Sequence, residues 1–223
     1  LWGSDIGGFF ALSQEQTTPE LMQRWIEFGF ASGVMRLQAN GYTLRPSTRA
    51  QITDPEVLPT WTRYARLRTR LYPYLARAER TYDRTGLPLM RALALAYPAD
   101  PQAAGRDDEY QLGPDLLVAP VLEAGATTRT LYLPRGRWFD FWRRGAAMSG
   151  GREVTVPAPL GRLPLLVRRG AAITLLPKAV RTLARYGKGH TVRLADRRDR
   201  RTLLACGRRL RTVRGVRACR RAS

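Results

Sequence analysis

Apolar positions follow two rhythms along this chain, helical through the first hundred residues and short and strand-like afterwards. Residues 1–10, LWGSDIGGFF, read as the end of a buried strand entering a turn that glycine permits. Thr17 or Thr18 then supplies a helix cap, Pro19 suits the first helical position, and Glu20 falls where an acid meets the positive end of the helix dipole. Leu21, Met22, Trp25, Ile26 and Phe28 give that helix its apolar side. A second strand is predicted over 31–38, ending in a polar loop with Asn40 and Gly41.

A longer helix follows. Asp54 is its expected cap and Pro55 its first residue, with Leu58, Trp61, Tyr64, Ala65, Leu71, Leu75, Ala78 and Tyr82 at helical spacing. Pro73 lies inside the pattern and is expected to kink or split it, and Gly86 and Pro88 to end it. Residues 87–96 are nearly all apolar and read as a buried strand of a parallel sheet. Strand, helix, strand, helix, strand is the order of an α/β domain. After Pro98 short runs appear at 116–122, 130–133, 138–142, 153–156, 163–167 and 171–175, separated by turn clusters, which suggests a β-sandwich. The boundary is expected near 99–106.

Charge changes this picture only at one end. The 223 residues carry 38 basic and 18 acidic side chains, a net charge of +20. Residues 178–223 hold 16 of the basic groups and 2 of the acidic ones, so the body is only mildly basic. Only Lys178 and Lys188 are lysines. The single histidine, His190, and both cysteines, Cys206 and Cys219, also lie in that last stretch. Two cysteines thirteen residues apart are read as neither a disulfide framework nor a zinc site, and no metal or cofactor is expected. No apolar run approaches the roughly 20 residues that span a bilayer, so no membrane partner is expected. The chain opens without methionine or a leader, which is read as a piece of a longer protein, with a cytoplasmic location favoured.

Several segments then agree with one family, in its order. WGSDIGGF (2–9) resembles a barrel segment of glycoside hydrolase family 31, the retaining α-glucosidases, α-xylosidases and their relatives. Arg24, Trp25, Gly29, Met35 and Arg36 look like the next helix and strand, and LYPYL (71–75) with GLPLMRALALAYP (86–98) like the last barrel helix and strand. YQLGPDLLVAPVL (110–122), YLPRGRWFDFW (132–142) and PLLVRRGAAITLLP (164–177) are similar to the family's C-terminal β-domain. The resemblance implies the C-terminal end of a (β/α)8 barrel over 1–98, a β-sandwich over 99–177, and a distal region over 178–223. It also implies hydrolysis of an α-glycoside with retention, by a nucleophile and an acid/base carboxylate about 5–5.5 Å apart. Both matching carboxylates would lie upstream of residue 1, so no residue here is expected to be catalytic and the chain alone is expected to be inactive.

Four residues are expected to bind substrate. Asp5, flanked by Gly3, Gly7 and Gly8, could bond its own turn or point into a pocket, and the resemblance assigns it to sugar hydroxyls. Phe9 matches an aromatic wall of the sugar subsite, with core burial the competing reading. Trp2 is expected in the core. Arg36 and Gln38 follow the second strand; the family has histidine where Gln38 stands, and glutamine still offers one acceptor and one amide donor but no cation. The acidic trio Asp107, Asp108 and Glu109 is read as a solvated turn.

Residues 194–196 and 203–205 still look like strand pieces, whereas from Cys206 no strand or helix period is visible. An irregular tail from an altered or truncated reading frame is therefore expected there. Two other functions compete: a non-catalytic β-sandwich that binds carbohydrate or a partner, and nucleic-acid binding through the Arg-rich tail. Aromatic residues for base stacking are absent after Tyr186, which counts against the latter. The pattern specifies no oligomeric state.

Overall fold

The computed structural model describes residues 2–11, 17–38, 42–43, 49–143, 145–183, 199–206, 209–215 and 217–219. Strands β1 (Asp5–Ile6) and β2 (Phe10–Ala11) precede helix α1 (Pro19–Phe30), and β3 (Arg36–Leu37) and β4 (Tyr42–Thr43) follow it. β1 pairs in parallel with β3, and β2 with β4, an arrangement that requires a crossover such as α1. Thr18 caps α1 as the sequence predicts, its hydroxyl accepting from the Leu21 N–H at 3.1 Å. The strand expected over 31–38 shrinks to Arg36–Leu37, because Ala31 closes α1 and the Ser32 hydroxyl, donating to the Gly29 carbonyl at 2.7 Å, holds an exit turn. The two strands and α1 lie close because two positions lack a Cβ. A Cβ on Gly3 would sit 2.2 Å from the Val34 carbonyl oxygen, and one on Gly29 would sit 2.4 Å from Ile6 Cδ1.

Helix α2 (Leu58–Thr85) runs 28 residues and ends at Gly86 in the left-handed region, as expected. Its start differs from expectation. The Asp54 carboxylate accepts from the Gln51 N–H at 2.8 Å and closes a turn, so the helix begins three residues beyond Pro55. Pro73 does not split it, because tertiary bonds anchor both halves. The Tyr64 hydroxyl donates to the Gly161 carbonyl and accepts from the Leu163 N–H at 2.7 Å; the Tyr74 hydroxyl donates to the Leu112 carbonyl at 2.7 Å and accepts from the Asp115 N–H at 3.0 Å.

Beyond α2 the chain becomes antiparallel. In order come β5 (Met90–Ala92), α3 (Leu93–Ala96), α4 (Pro101–Ala104), β6 (Tyr110–Leu112), β7 (Leu116–Val118), β8 (Thr128–Leu133), β9 (Arg137–Asp140), β10 (Met148–Ser149), β11 (Arg152–Pro157), β12 (Leu165–Arg168), β13 (Ala172–Leu175), β14 (Arg201–Leu204) and β15 (Arg211–Arg214). A six-stranded sheet runs β10-β9-β12-β7-β6-β5, beside a β8–β11 ribbon and a three-stranded sheet β13-β14-β15. The six runs expected to be strands are strands. Residues 87–96 are not: only Met90–Ala92 extends, pairing antiparallel with β6 rather than in a parallel sheet, and Leu93–Ala96 forms one helical turn. One apolar cluster fills the space between the large sheet and the ribbon around Trp138, whose indole N–H donates to the Pro134 carbonyl at 2.8 Å. A larger cluster runs from Ile6 and Met22 past Tyr64 and Tyr74 to Phe139, Ile173 and Leu203, joining barrel end to sandwich.

Three readings of the sequence need correcting. Cys206 and Cys219 are joined in a disulfide. The segment between them is not irregular either, since β15 pairs antiparallel with β14, Arg201 opposite Arg214 and Leu204 opposite Arg211. With arginine at both ends and Val213 its one apolar residue, this strand shows no hydrophobic period in the sequence. A disulfide closing so short a loop contributes about 3 kcal/mol in the chain-entropy account. Reduction, or Cys219→Ser, is expected to lower stability by about that amount, and hydrogen exchange should show β15 losing protection first. Equal protection with and without the bond would contradict this. His190 and residues 194–196 lie outside the described residues.

The third correction concerns the acidic trio, of which only Asp107 is solvated. Asp108 pairs with Arg129 at 2.6 Å, and Glu109 is buried, accepting from the Tyr132 N–H at 2.8 Å. Burial, with help from the Asp108 charge, pushes Glu109 up to about 7, against the pull of the Tyr132 N–H, Arg106 and Arg129. An acid held above its unfolded value of 4.5 leaves folding unpenalised at low pH, and the penalty grows as pH rises from there through about 7. Relative to Glu109→Gln, the natural chain is therefore expected to lose about 1–3 kcal/mol between roughly pH 5 and 8 in urea titrations. A pH-independent difference would contradict this. No described helix is long and apolar enough to cross a membrane.

Candidate functional site

Three of the four expected site residues meet at the β1–β3 pair, where Asp5 opens β1, Arg36 opens β3 and Gln38 follows it. Asp5 stands directly opposite Arg36 in the parallel register. The Arg36 guanidinium reaches both neighbours: its Nε lies 3.0 Å from Asp5 Oδ1, and its Nη2 donates to Gln38 Oε1 at 2.9 Å. The backbone fixes this row, because the Gln38 N–H donates to the Ile6 carbonyl at 3.0 Å and the Gly8 N–H to the Asp5 carbonyl at 2.8 Å. Gly7 and Gly8 both carry positive φ, +87° and +84°, a conformation that strains any other residue and turns the chain away just past Asp5.

The arrangement leaves a polar edge facing outward. Arg36 is 56% exposed and Asp5 28% exposed. Among the described residues, no hydrogen bond is made by Asp5 Oδ2 or by the Gln38 amide nitrogen, which leaves an acceptor on one side of Arg36 and a donor on the other. That is the pairing that vicinal hydroxyls of a sugar require. Phe9, expected either in the core or as a wall of the sugar subsite, is 60% exposed in this chain. Trp2, expected in the core, is also 60% exposed and meets Phe28 edge-on, with centroids 6.0 Å apart.

One neighbour escaped the sequence reading. Arg49 is buried and donates from Nη2 to the Gly8 carbonyl, bracing the double-glycine turn. Nothing in its local pattern separates it from the chain's other arginines. Ser4, beside the site, accepts from the Trp25 indole N–H at 2.9 Å and so ties β1 to α1. The described residues contain no group of three or more metal-ligating side chains.

Adjacent parallel strands joined through a crossover helix, as β1 and β3 are through α1, are the repeating unit of a β/α-barrel. Comparison with known proteins gives that class its family. Residues 1–78 match the glycosyl hydrolases family 31 TIM-barrel domain, and residues 86–173 match the glycosyl hydrolase family 31 C-terminal domain. The chain belongs to glycoside hydrolase family 31. It is similar to a sulfoquinovosidase of Agrobacterium fabrum, 38% identical over 182 residues, covering 81% of this chain and 27% of that protein. A solved sulfoquinovosidase from E. rectale, in complex with an aza-sugar inhibitor, superposes with a TM-score of 0.70 at 33% identity over 76% of this chain and 25% of that one. A solved α-xylosidase from Xanthomonas citri gives 0.67 at 32% identity over 79% and 20%. The chain thus spans about a quarter of the length of the relatives it matches.

Proposed function

We propose that residues 1–223 supply the sugar-holding rim and the supporting β-domain of a retaining α-glycoside hydrolase, with an α-glucoside or α-xyloside as substrate. The observation that carries this reading is the Asp5–Arg36–Gln38 row at the β1–β3 pair. Asp5 accepts from a sugar hydroxyl, Gln38 donates to its neighbour, Arg36 holds Asp5 in place, and Phe9 covers the sugar's C–H face. With glutamine in place of histidine, the donor at Gln38 keeps its charge state through the neutral range, so this contact sets sugar preference without adding a titration step.

The reaction class needs a nucleophile and an acid/base about 5–5.5 Å apart, and no cofactor. Asp5 is bonded to Arg36 and is assigned neither role, so both reacting carboxylates lie outside these 223 residues in this reading. The 223-residue chain alone is therefore expected to release no chromophore from nitrophenyl α-glucoside or α-xyloside above the uncatalysed rate. Turnover that Asp5→Ala abolishes would make Asp5 a reacting group and overturn the assignment.

A further inference from the structure

Between α2 and the β-domain lies a cleft of about 600 Å³, lined by Leu58, Pro59, Arg63, Arg66, Arg70 and, from the β-domain, Trp142 and Lys178 among others. Among the described residues its lining holds four cations and no carboxylate. Among the described residues none of the four cations forms an ion pair. The carboxylate that senses Arg63, Glu27, is buried, lies outside the lining and is bonded to Arg24 at 3.1 Å. Arg70 is half-buried, and desolvation alone lowers its pKa. A guanidinium drawn from water with no counter-charge is unfavourable unless an anion arrives to pair with it.

The cleft is also rigid. The Trp142 indole N–H donates to the Leu163 carbonyl at 2.6 Å, and the Arg63 guanidinium lies over that ring at 4.5 Å while donating to the Gly161 carbonyl at 3.1 Å. The Leu176 N–H donates to the Arg70 carbonyl at 2.8 Å, and Arg70 Nε donates back to the Leu176 carbonyl at 3.3 Å, which fixes the segment carrying Lys178 against α2. Preorganised donors lose little entropy on binding.

From this geometry we infer that the cleft between α2 and the β-domain is a second carbohydrate site, for an acidic glycan whose sugars carry carboxylate or sulfate groups. Arg63, Arg66 and Arg70 share one helix face with axial steps of about 4.5 and 6 Å, so their forks meet successive oxyanions along a chain rather than one ion. Leu58, Pro59 and Leu67 offer an apolar floor for C–H faces. A nucleic acid would need a series of open aromatic platforms, and this lining has one aromatic ring, already covered on one face by Arg63. The site is separate from the Asp5 row and is read by binding, so its failure leaves the catalytic reading intact.

The test is titration of the 223-residue chain, at physiological ionic strength, with trigalacturonate, with maltotriose and with a short single-stranded oligonucleotide. Two variants of equal charge change are compared: Arg66→Gln with Lys178→Gln, and Arg135→Gln with Arg169→Gln on the distant β-domain surface. All four side chains are exposed, and matching thermal midpoints confirm that folding is kept. Trigalacturonate should bind and maltotriose should not. The cleft variant should lose about tenfold or more, the size of one or more charged hydrogen bonds, and the control less than about twofold. Equal losses in both variants, meaning attraction to the net charge only, would overturn the proposal. So would cleft-dependent binding of the oligonucleotide in preference to the glycan, or no loss in the cleft variant.

Discussion

Replacing Arg24 by alanine is expected to remove about 3–5 kcal/mol of stability, a large share of what a domain of this size holds. Arg24 is 8% exposed and joins the two halves of the molecule from the middle of α1. Its Nη2 donates to the carbonyls of Ala126 at 2.8 Å and Ala158 at 2.9 Å, and its Nη1 to the Pro159 carbonyl and to Glu27 Oε2 at 3.1 Å. Burial pushes Glu27 up to about 7 even with Arg24 pulling the other way. Without the arginine, a carboxylate with 1% exposure has lost its charge partner and three loop carbonyls have lost a donor. Arg24→Lys should retain only part of the stability, because one ammonium cannot reproduce a fork that spans two loops. Adding Glu27→Gln to Arg24→Ala should recover stability, since it removes the orphaned charge. Denaturant titration showing a loss under about 0.5 kcal/mol for Arg24→Ala would place the junction's strength elsewhere.

The same pair shows what the chain's pattern discloses and what it conceals. Arg24 was visible as part of an Arg-Trp segment, but its reach of more than a hundred residues to the β-domain carbonyls could be known only from tertiary structure. Local chemistry read well: the Thr18 cap, the Gly86 terminator and the short strands of the sandwich all follow from side-chain type and spacing. Long-range compensation did not. Pro73 should have broken α2, yet Tyr64 and Tyr74 hold the halves in line. Glu109 looked solvated beside two other acids, yet Tyr132 and the fold around it bury it. The last strand was hidden because three of its four residues are polar, and its register is set by β14 and by the Cys206–Cys219 bond.

The site divides in the same way. Asp5, Arg36 and Gln38 could be named from glycine placement and family resemblance, and Arg36 contacts the other two. Arg49 could not be named, because bracing a turn from forty residues away leaves no local mark. Phe9 and Trp2 were ambiguous in sequence because aromatics serve cores and pockets alike, and both are 60% exposed in this chain.

Asp5→Ala has the largest expected effect on activity. In the proposed site the carboxylate is the anion of the row, and its loss would remove charged hydrogen bonds to sugar worth about 1.5–3 kcal/mol each, at about 1.4 kcal/mol per tenfold in rate. It also leaves Arg36 without its partner at 3.0 Å, free to swing into the space the sugar should occupy. Asp5→Asn keeps the shape and one acceptor oxygen, and should fall between the two. Because only contacts that strengthen in the transition state raise kcat, a loss confined to KM would mark Asp5 as a holder of the ground state alone.

The most direct measurement is made in a complete barrel. The 223 residues replace the matching segment of the Agrobacterium fabrum sulfoquinovosidase, and kcat/KM for that enzyme's own α-glycoside is compared with and without Asp5→Ala. A fall of about 10²-fold or more, with the thermal midpoint unchanged, is the expected result. Equal kcat/KM in the two fusions would contradict the claim that this chain builds the sugar site.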